Sequence, residues 1–156
     1  MEGEYTTMKN KKITIPTTID LKDDYFVFTG TIWGEMRGGT REAQENVAQV
    51  ILNRKAAQPS LTIAEICLAP LQFSCWNEND PNRPKILNPH YHQGTYWETC
   101  AEIAWGALHG TNPNRIANAC NYYACSDRNP PKWAYPPSII THVDGFSRFV
   151  LVKEKE

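Results

Sequence analysis

Among the residues able to do chemistry, Glu35 has the most suggestive surroundings. It lies near the end of an apolar, aromatic run from Tyr25 to Met36 and is followed by a Gly38-Gly39 break. On a helix of 3.6 residues per turn, Tyr25, Phe28, Ile32 and Met36 fall in one stripe, with Glu35 on the same side. A carboxylate there loses solvation, so its charged form is disfavoured and its pKa rises. A general acid near neutral pH needs such surroundings. A glutamate at a helix end is also a common solvated surface residue, so this pattern alone leaves both readings open.

Other reactive residue types give weaker patterns. Gln72-Phe73-Ser74-Cys75-Trp76 follows Pro70 and is expected as an exposed loop of the kind that holds ligands. The alternative is that Phe73 and Trp76 plug the core. His90 and His92 form an H-x-H pair in a loop, a weak metal signal. The five cysteines are Cys67, Cys75, Cys100, Cys120 and Cys125. Their spacings match no common zinc pattern, so free buried thiols are expected rather than a metal built from Cys67, Cys75, Cys120 and Cys125. The reading assigns no metal and no cofactor.

The elements that must position these groups follow from periodicity and caps. Asp23 or Asp24 caps a helix over 24–37, in which Gly30, Gly34 and Gly38 recur on one flank. Glycine costs a helix about 1 kcal/mol against alanine, so the repeat predicts close approach of another segment or of a substrate. Thr40 caps a second helix to about Ala57, with Ala43, Val47, Val50, Ile51 and Arg54 on one face and Glu42, Glu45, Gln49 and Asn53 elsewhere. Thr62 to Glu65 reads as a capping box opening a short helix to Leu68, and Thr95 to Glu98 as a second one opening a helix to Gly110. Residues 77–94, rich in Asn and Pro, are expected to be irregular. Strand-like aromatics mark 116–125, and 138–152 reads as a hairpin joined by a type I′ turn at Asp144-Gly145. The fold class is α+β: mostly helical, with a small antiparallel β-sheet late in the chain. Residues 1–22 are expected as a flexible N-terminal arm and 23–156 as a single domain.

Composition narrows the partners. At 156 residues, 41% hydrophobic and 21% charged, the chain suits one globular domain. A net charge of -1 argues against a binder of nucleic acid that neutralises phosphates. It leaves room for a neutral polymer such as a glycan, on which five Trp and seven Tyr could stack. No stretch reaches the length of a membrane span, so no membrane insertion is expected. No apolar run of signal-peptide type follows the basic N-terminal patch, and synthesis in the cytoplasm is expected.

The stretch IWGEMRGGTREAQENVAQVILNR (32–54, across the first two helices) resembles the opening motif of the SleB-type cell wall hydrolases, which include spore cortex-lytic enzymes and phage or prophage lysins. The likeness continues through LQFS at 71–74, Asn-Tyr-Tyr at 121–123, Trp133, and the final hairpin with His142 and Phe146. It covers roughly residues 24–152. It implies a lysozyme-like domain that cuts peptidoglycan between N-acetylmuramic acid and N-acetylglucosamine. The family's catalytic glutamate falls on Glu35, its QF(S) loop on Gln72, Phe73 and Ser74, and its paired tyrosines on Tyr122 and Tyr123, which are expected to bind substrate. Met36 replaces the usual alanine. Gly39 stands where many members have a second glutamate, for which Glu42 is the nearest substitute.

Glycosidases ordinarily use two carboxylates, and the motif supplies one. A single acid suffices if the muramic acid C6 hydroxyl attacks, which gives a 1,6-anhydro product; this lytic transglycosylase outcome is also the one the resemblance favours. The alternatives are a hydrolytic muramidase using Glu42 or Asp80, a zinc amidase cutting the stem peptide, and a non-catalytic wall-binding virion module. Access to the wall would come by holin-dependent release or within a virion.

Overall fold

α1 (Asp24–Met36) forms the centre of the domain. Asp23 caps it, its side chain accepting from the backbone N–H groups of Tyr25 and Phe26 at 3.0 and 3.3 Å. Every residue from Val27 to Trp33 is buried. The helix is thus enclosed all round rather than presenting a single stripe, and Tyr25, expected in that stripe, lies 39% exposed. The buried hydroxyls of Thr29 and Thr31 are satisfied by the carbonyls of Tyr25 and Val27, four residues back. This computed structural model describes residues 2–6, 12–16 and 19–154.

α2 (Arg41–Ala57) starts at Thr40, whose hydroxyl accepts from the Ala43 N–H at 3.1 Å. It separates two apolar clusters. Ala48 and Ile51 face the main core with Phe28, Ile32, Phe73 and Ile103, while Val50 faces Ile116, Ala119 and Phe149. Glu45, expected away from the apolar face, is buried, and so is Asn46. Arg115 reaches both, at 3.1 and 3.4 Å, and Asn46 donates to the Asp144 carboxylate at 2.9 Å. α3 (Ile63–Leu68) opens with the capping box at Thr62 and Glu65.

The segment from 77 to 94, expected to be irregular, contains a short helix α4 (Asn82–Ile86) and a 3₁₀ turn at Pro89–His92. Ile86 is fully buried, which anchors it. α5 (Thr95–Leu108) packs on α1. The capping box expected at Thr95 does not open it, because Gly94, with φ of 88°, holds the N-cap position and supplies no side-chain acceptor.

β3 (Asn121–Ala124), β4 (Ile139–Val143) and β5 (Ser147–Leu151) form an antiparallel sheet in the order β3-β5-β4. The expected hairpin joins β4 to β5, but its turn places Gly145 first of two central residues, with the only positive φ, 88°. That is the type II′ pattern rather than I′. Asp144 steadies the turn by accepting from the N–H groups of Phe146 and Ser147. The domain is therefore α+β, mostly helical with one small antiparallel sheet. In the N-terminal stretch, expected as an arm, β1 (Glu2–Thr6) pairs antiparallel with β2 (Lys12–Pro16). Residues 1, 7–11 and 17–18 of the expected arm lie outside the described residues.

The glycine flank of α1 is filled by protein. A Cβ on Gly30 would lie 2.7 Å from Ile86, and one on Gly34 would lie 2.6 Å from the Cys75 Cβ; Gly38 faces open space. The 3₁₀ turn Ser74–Trp76 thereby rests directly on α1, pinned by Trp76 Nε1 donating to the Thr31 hydroxyl at 2.8 Å. Gly34→Ala gains about 1 kcal/mol of helix propensity but meets a Cβ that cannot swing aside, and overpacking costs about 1–3 kcal/mol. A lower melting temperature is expected for Gly34→Ala, and no loss for Gly38→Ala measured alongside it.

Candidate active site

Glu35 sits in the last turn of α1, over the place where Ser74–Trp76 docks. Its carboxyl is pushed up to about 7, first by burial and then by the negative charge of Asp80. Arg54 opposes this, as do the Tyr122 hydroxyl and the Ser74 backbone N–H, which approach the carboxylate as donors. A carboxyl poised near neutrality with two donors beside it can give up a proton and then be stabilised as the anion. The donors come from separate segments, one from the first residue of the 3₁₀ turn and one from β3.

The Asn53-Arg54 pair at the end of α2 braces both segments. Asn53 donates to the carbonyls of Ala117 and Ala119 at 2.9 and 2.8 Å, and Arg54 Nε donates to the carbonyl of Cys120 at 2.7 Å. These bonds fix the chain two residues ahead of Tyr122. On its other side the Arg54 guanidinium lies over the Phe73 ring, 4.7 Å from its centre, next to Ser74. Arg54 Nη1 is buried without a partner.

The residues expected to bind substrate separate into groups. Ser74 and Tyr122 join Glu35 directly. Phe73 is 1% exposed and Trp76 9%, so the core-plug alternative holds for both of these aromatics, and only Gln72 and Ser74 are exposed. Leu71 turns the chain there with φ of 63° and is 84% exposed, an unfavourable backbone for a branched side chain. Adjacent residues on a strand face opposite ways, and Tyr123 accordingly lies away from Tyr122, packed edge-on to Trp133 with Arg148 over its ring at 5.5 Å. Sequence reasoning missed Arg54 and the nearness of Asp80 to Glu35. For Arg54 a signal existed: a cation at the end of an otherwise apolar helix face.

Glu42, the substitute considered for a second acid, pairs with Arg115 at 3.5 Å and His142 at 3.4 Å; it is not among the charges that shift Glu35. His92 stacks on Trp97 at 3.8 Å, with its Nε2 2.6 Å from the Ile86 carbonyl, and so serves packing. Cys67 and Cys100 are pushed up to about 12 by burial, and Cys75 is raised too. All five cysteines are free. Among the described residues no three His, Cys, Asp or Glu side chains converge as metal ligands. Residues 38–145 match the family described as Cell Wall Hydrolase. The chain belongs to this SleB-type cell wall hydrolase family. No curated protein and no solved structure matches it. The matched span of this cell wall hydrolase contains Arg54, Gln72 to Ser74, Asp80 and both tyrosines, and begins three residues after Glu35.

Because Asp80 raises Glu35, Asp80→Asn is expected to lower the Glu35 pKa. The Asn82 N–H now bonded to Asp80 Oδ1 at 2.8 Å can be kept by the asparagine oxygen. The alkaline limb of the kcat/KM profile, which reports the free enzyme's acid, moves to lower pH in this variant. A limb that stays in place would show that Asp80 does not act on Glu35.

Proposed function

We propose that the protein cleaves the glycosidic bond between N-acetylmuramic acid and N-acetylglucosamine in bacterial peptidoglycan, with Glu35 as general acid and then general base. The observation that carries this reading is the desolvated Glu35 carboxyl, raised to about 7 and flanked by the Ser74 N–H and the Tyr122 hydroxyl. Membership of the cell wall hydrolase family supports the substrate class.

Glu35 gives its proton to the glycosidic oxygen as the bond from that oxygen to C1 of muramic acid breaks. Positive charge develops on the sugar while the new Glu35 carboxylate is held by its two donors and by the charge of Arg54. The carboxylate then takes the proton of the C6 hydroxyl, whose oxygen closes on C1. The product is a 1,6-anhydro sugar, no water is consumed, and Glu35 ends protonated, ready for another cycle. One acid suffices for both proton transfers, in accord with Glu42 being held by Arg115 and His142.

Mass spectrometry of muropeptides released from purified walls tests the outcome. Anhydro-muropeptides, each one water lighter than a reducing-end product, are expected. Reducing ends carrying oxygen from labelled water would instead make the enzyme a muramidase. That second reading has its own observation, since Asp80 is a carboxylate close enough to raise Glu35, and hydrolysis would then be lost in Asp80→Asn.

A further inference from the structure

The end of α1 that carries Glu35 is gripped from α2. Gln44, in the first turn of α2 and 3% exposed, donates from Nε2 to the carbonyls of Met36 and Arg37 at 3.1 and 3.4 Å. A helix leaves its last carbonyls without partners of its own, and a following glycine turn or a basic side chain ordinarily supplies donors. Here the Gly39 N–H serves the Met36 carbonyl at 2.9 Å. No basic residue stands in the last turn of α1. Arg37, which follows it, sends its guanidinium to Asn82 Oδ1 at 2.7 Å and over the Trp33 ring instead. An amide from the next helix does what that side chain does not.

Packing alone does not explain a glutamine at this position. Its Oε1 is buried with no hydrogen-bond partner among the described residues, and a buried acceptor left unmatched lowers stability. Methionine has a similar reach without that penalty. Turning the amide over would point its oxygen at two carbonyls, so the donor orientation is the one that fits. A lysine or arginine could serve the same carbonyls, but its charge near Glu35 would favour the carboxylate form. Glutamine supplies the hydrogen bonds and leaves the local charge unchanged.

We propose that Gln44 is a positioning residue for Glu35: its amide locks the end of α1 and so fixes where the acid meets the glycosidic oxygen. This rests on the glycan-cleavage reading above. Met36 is the residue next to Glu35, so a shift of its peptide carries the Glu35 Cα along. The residue before Glu35 is held too, because Gly34 seats against the Cys75 Cβ. The acid therefore lies between two anchored neighbours, one fixed by the 3₁₀ turn and one by α2. Misplacing a reacting group by about 1 Å costs on the order of 10²-fold in rate. Substrate contacts elsewhere keep their places, so the loss falls on kcat.

The test compares Gln44→Met and Gln44→Glu with the wild type on soluble peptidoglycan strands. Gln44→Met, which cannot donate, is expected to lower kcat by about 10-fold or more with KM unchanged. Amide hydrogen exchange at Arg37 and Gly39 should quicken, while the Val47 and Ile51 amides stay as protected as before. Gln44→Glu supplies a rescue that depends on pH. Protonated, its carboxyl can donate to one of the two carbonyls; ionised, it can only accept. Relative to the wild type at the same pH, it should recover most of kcat at pH 5 and fall to the methionine variant's level at pH 8. This comparison within one variant still decides the matter if Gln44→Met fails to fold. Wild-type kcat in Gln44→Met, a rise in KM alone, or a Gln44→Glu ratio that is the same at both pH values overturns the proposal. Faster exchange at Arg37 and Gly39 with kcat intact also overturns it, since Gln44 would then only stabilise the helix end. Normal cleavage by Glu35→Gln removes the acid reading and this proposal together, whereas an inactive Glu35→Gln beside a fully active Gln44→Met removes this proposal alone.

Discussion

Glu35→Gln is expected to abolish release of soluble fragments from purified walls, by at least about 10³-fold, the upper part of the range that a positioned acid-base group supplies. In the proposed reaction the same carboxyl serves two proton transfers, so its loss affects bond cleavage and ring closure together. Glutamine keeps the shape and can still accept from the Ser74 N–H and the Tyr122 hydroxyl that face Glu35. The fold should therefore survive, which circular dichroism checks. Near-normal turbidity loss in the variant would remove Glu35 from the mechanism. The result matters more because the family match begins at residue 38; the role of Glu35 stands on its surroundings. In the wild type, kcat/KM falls as pH rises through about 7, where the acid loses its proton.

What could be read from the sequence was local. Asp23, Thr40 and Thr62 act on N–H groups two or three residues away, so their caps are visible in short windows. The β4–β5 hairpin is local too, although its turn type depends on which residue takes the first central position. The Gly30 and Gly34 spacing announced a close neighbour without saying which, and the neighbour came from Trp76, Cys75 and Ile86. The α1 stripe misled because periodicity assumes one solvent face, and a central helix has none. Buried polar contacts were out of reach. Arg115 with Glu45 and Asp144 with Asn46 join positions 70 and 98 residues apart, and no periodic pattern encodes such pairings.

The site shows the same division. Glu35 was found because desolvation follows from its own helix, and Ser74 and Tyr122 because they fall within motifs. Tyr123 shared the motif, yet strand alternation sends it to the opposite face from Tyr122, a separation that period-two reasoning carries without coordinates. Asp80 and Arg54 shift Glu35 in opposite directions from loops and helices far along the chain. Only the fold puts them together.

The raised Glu35 pKa also predicts that the inactive variant is the more stable protein. Below pH 4.5 the group is protonated whether the chain is folded or unfolded, and it contributes no pH dependence. Between 4.5 and about 7 the unfolded chain gives up this proton while the folded one retains it, so stability falls across that window and levels off above it. Holding one carboxyl at about 7 instead of 4.5 corresponds to roughly 3 kcal/mol. Glutamine carries no charge to desolvate, so Glu35→Gln should match the wild type at pH 4 and exceed it by roughly 3 kcal/mol at pH 8. For a chain of this size that is on the order of 10 °C in melting temperature. Urea unfolding of both proteins at the two pH values measures it, and the difference between the two values isolates the ionisation from any effect of the amide itself. An equal offset at pH 4 and pH 8 would mean that Glu35 titrates as an ordinary solvated glutamate, and the physical basis for its acid role would go with it.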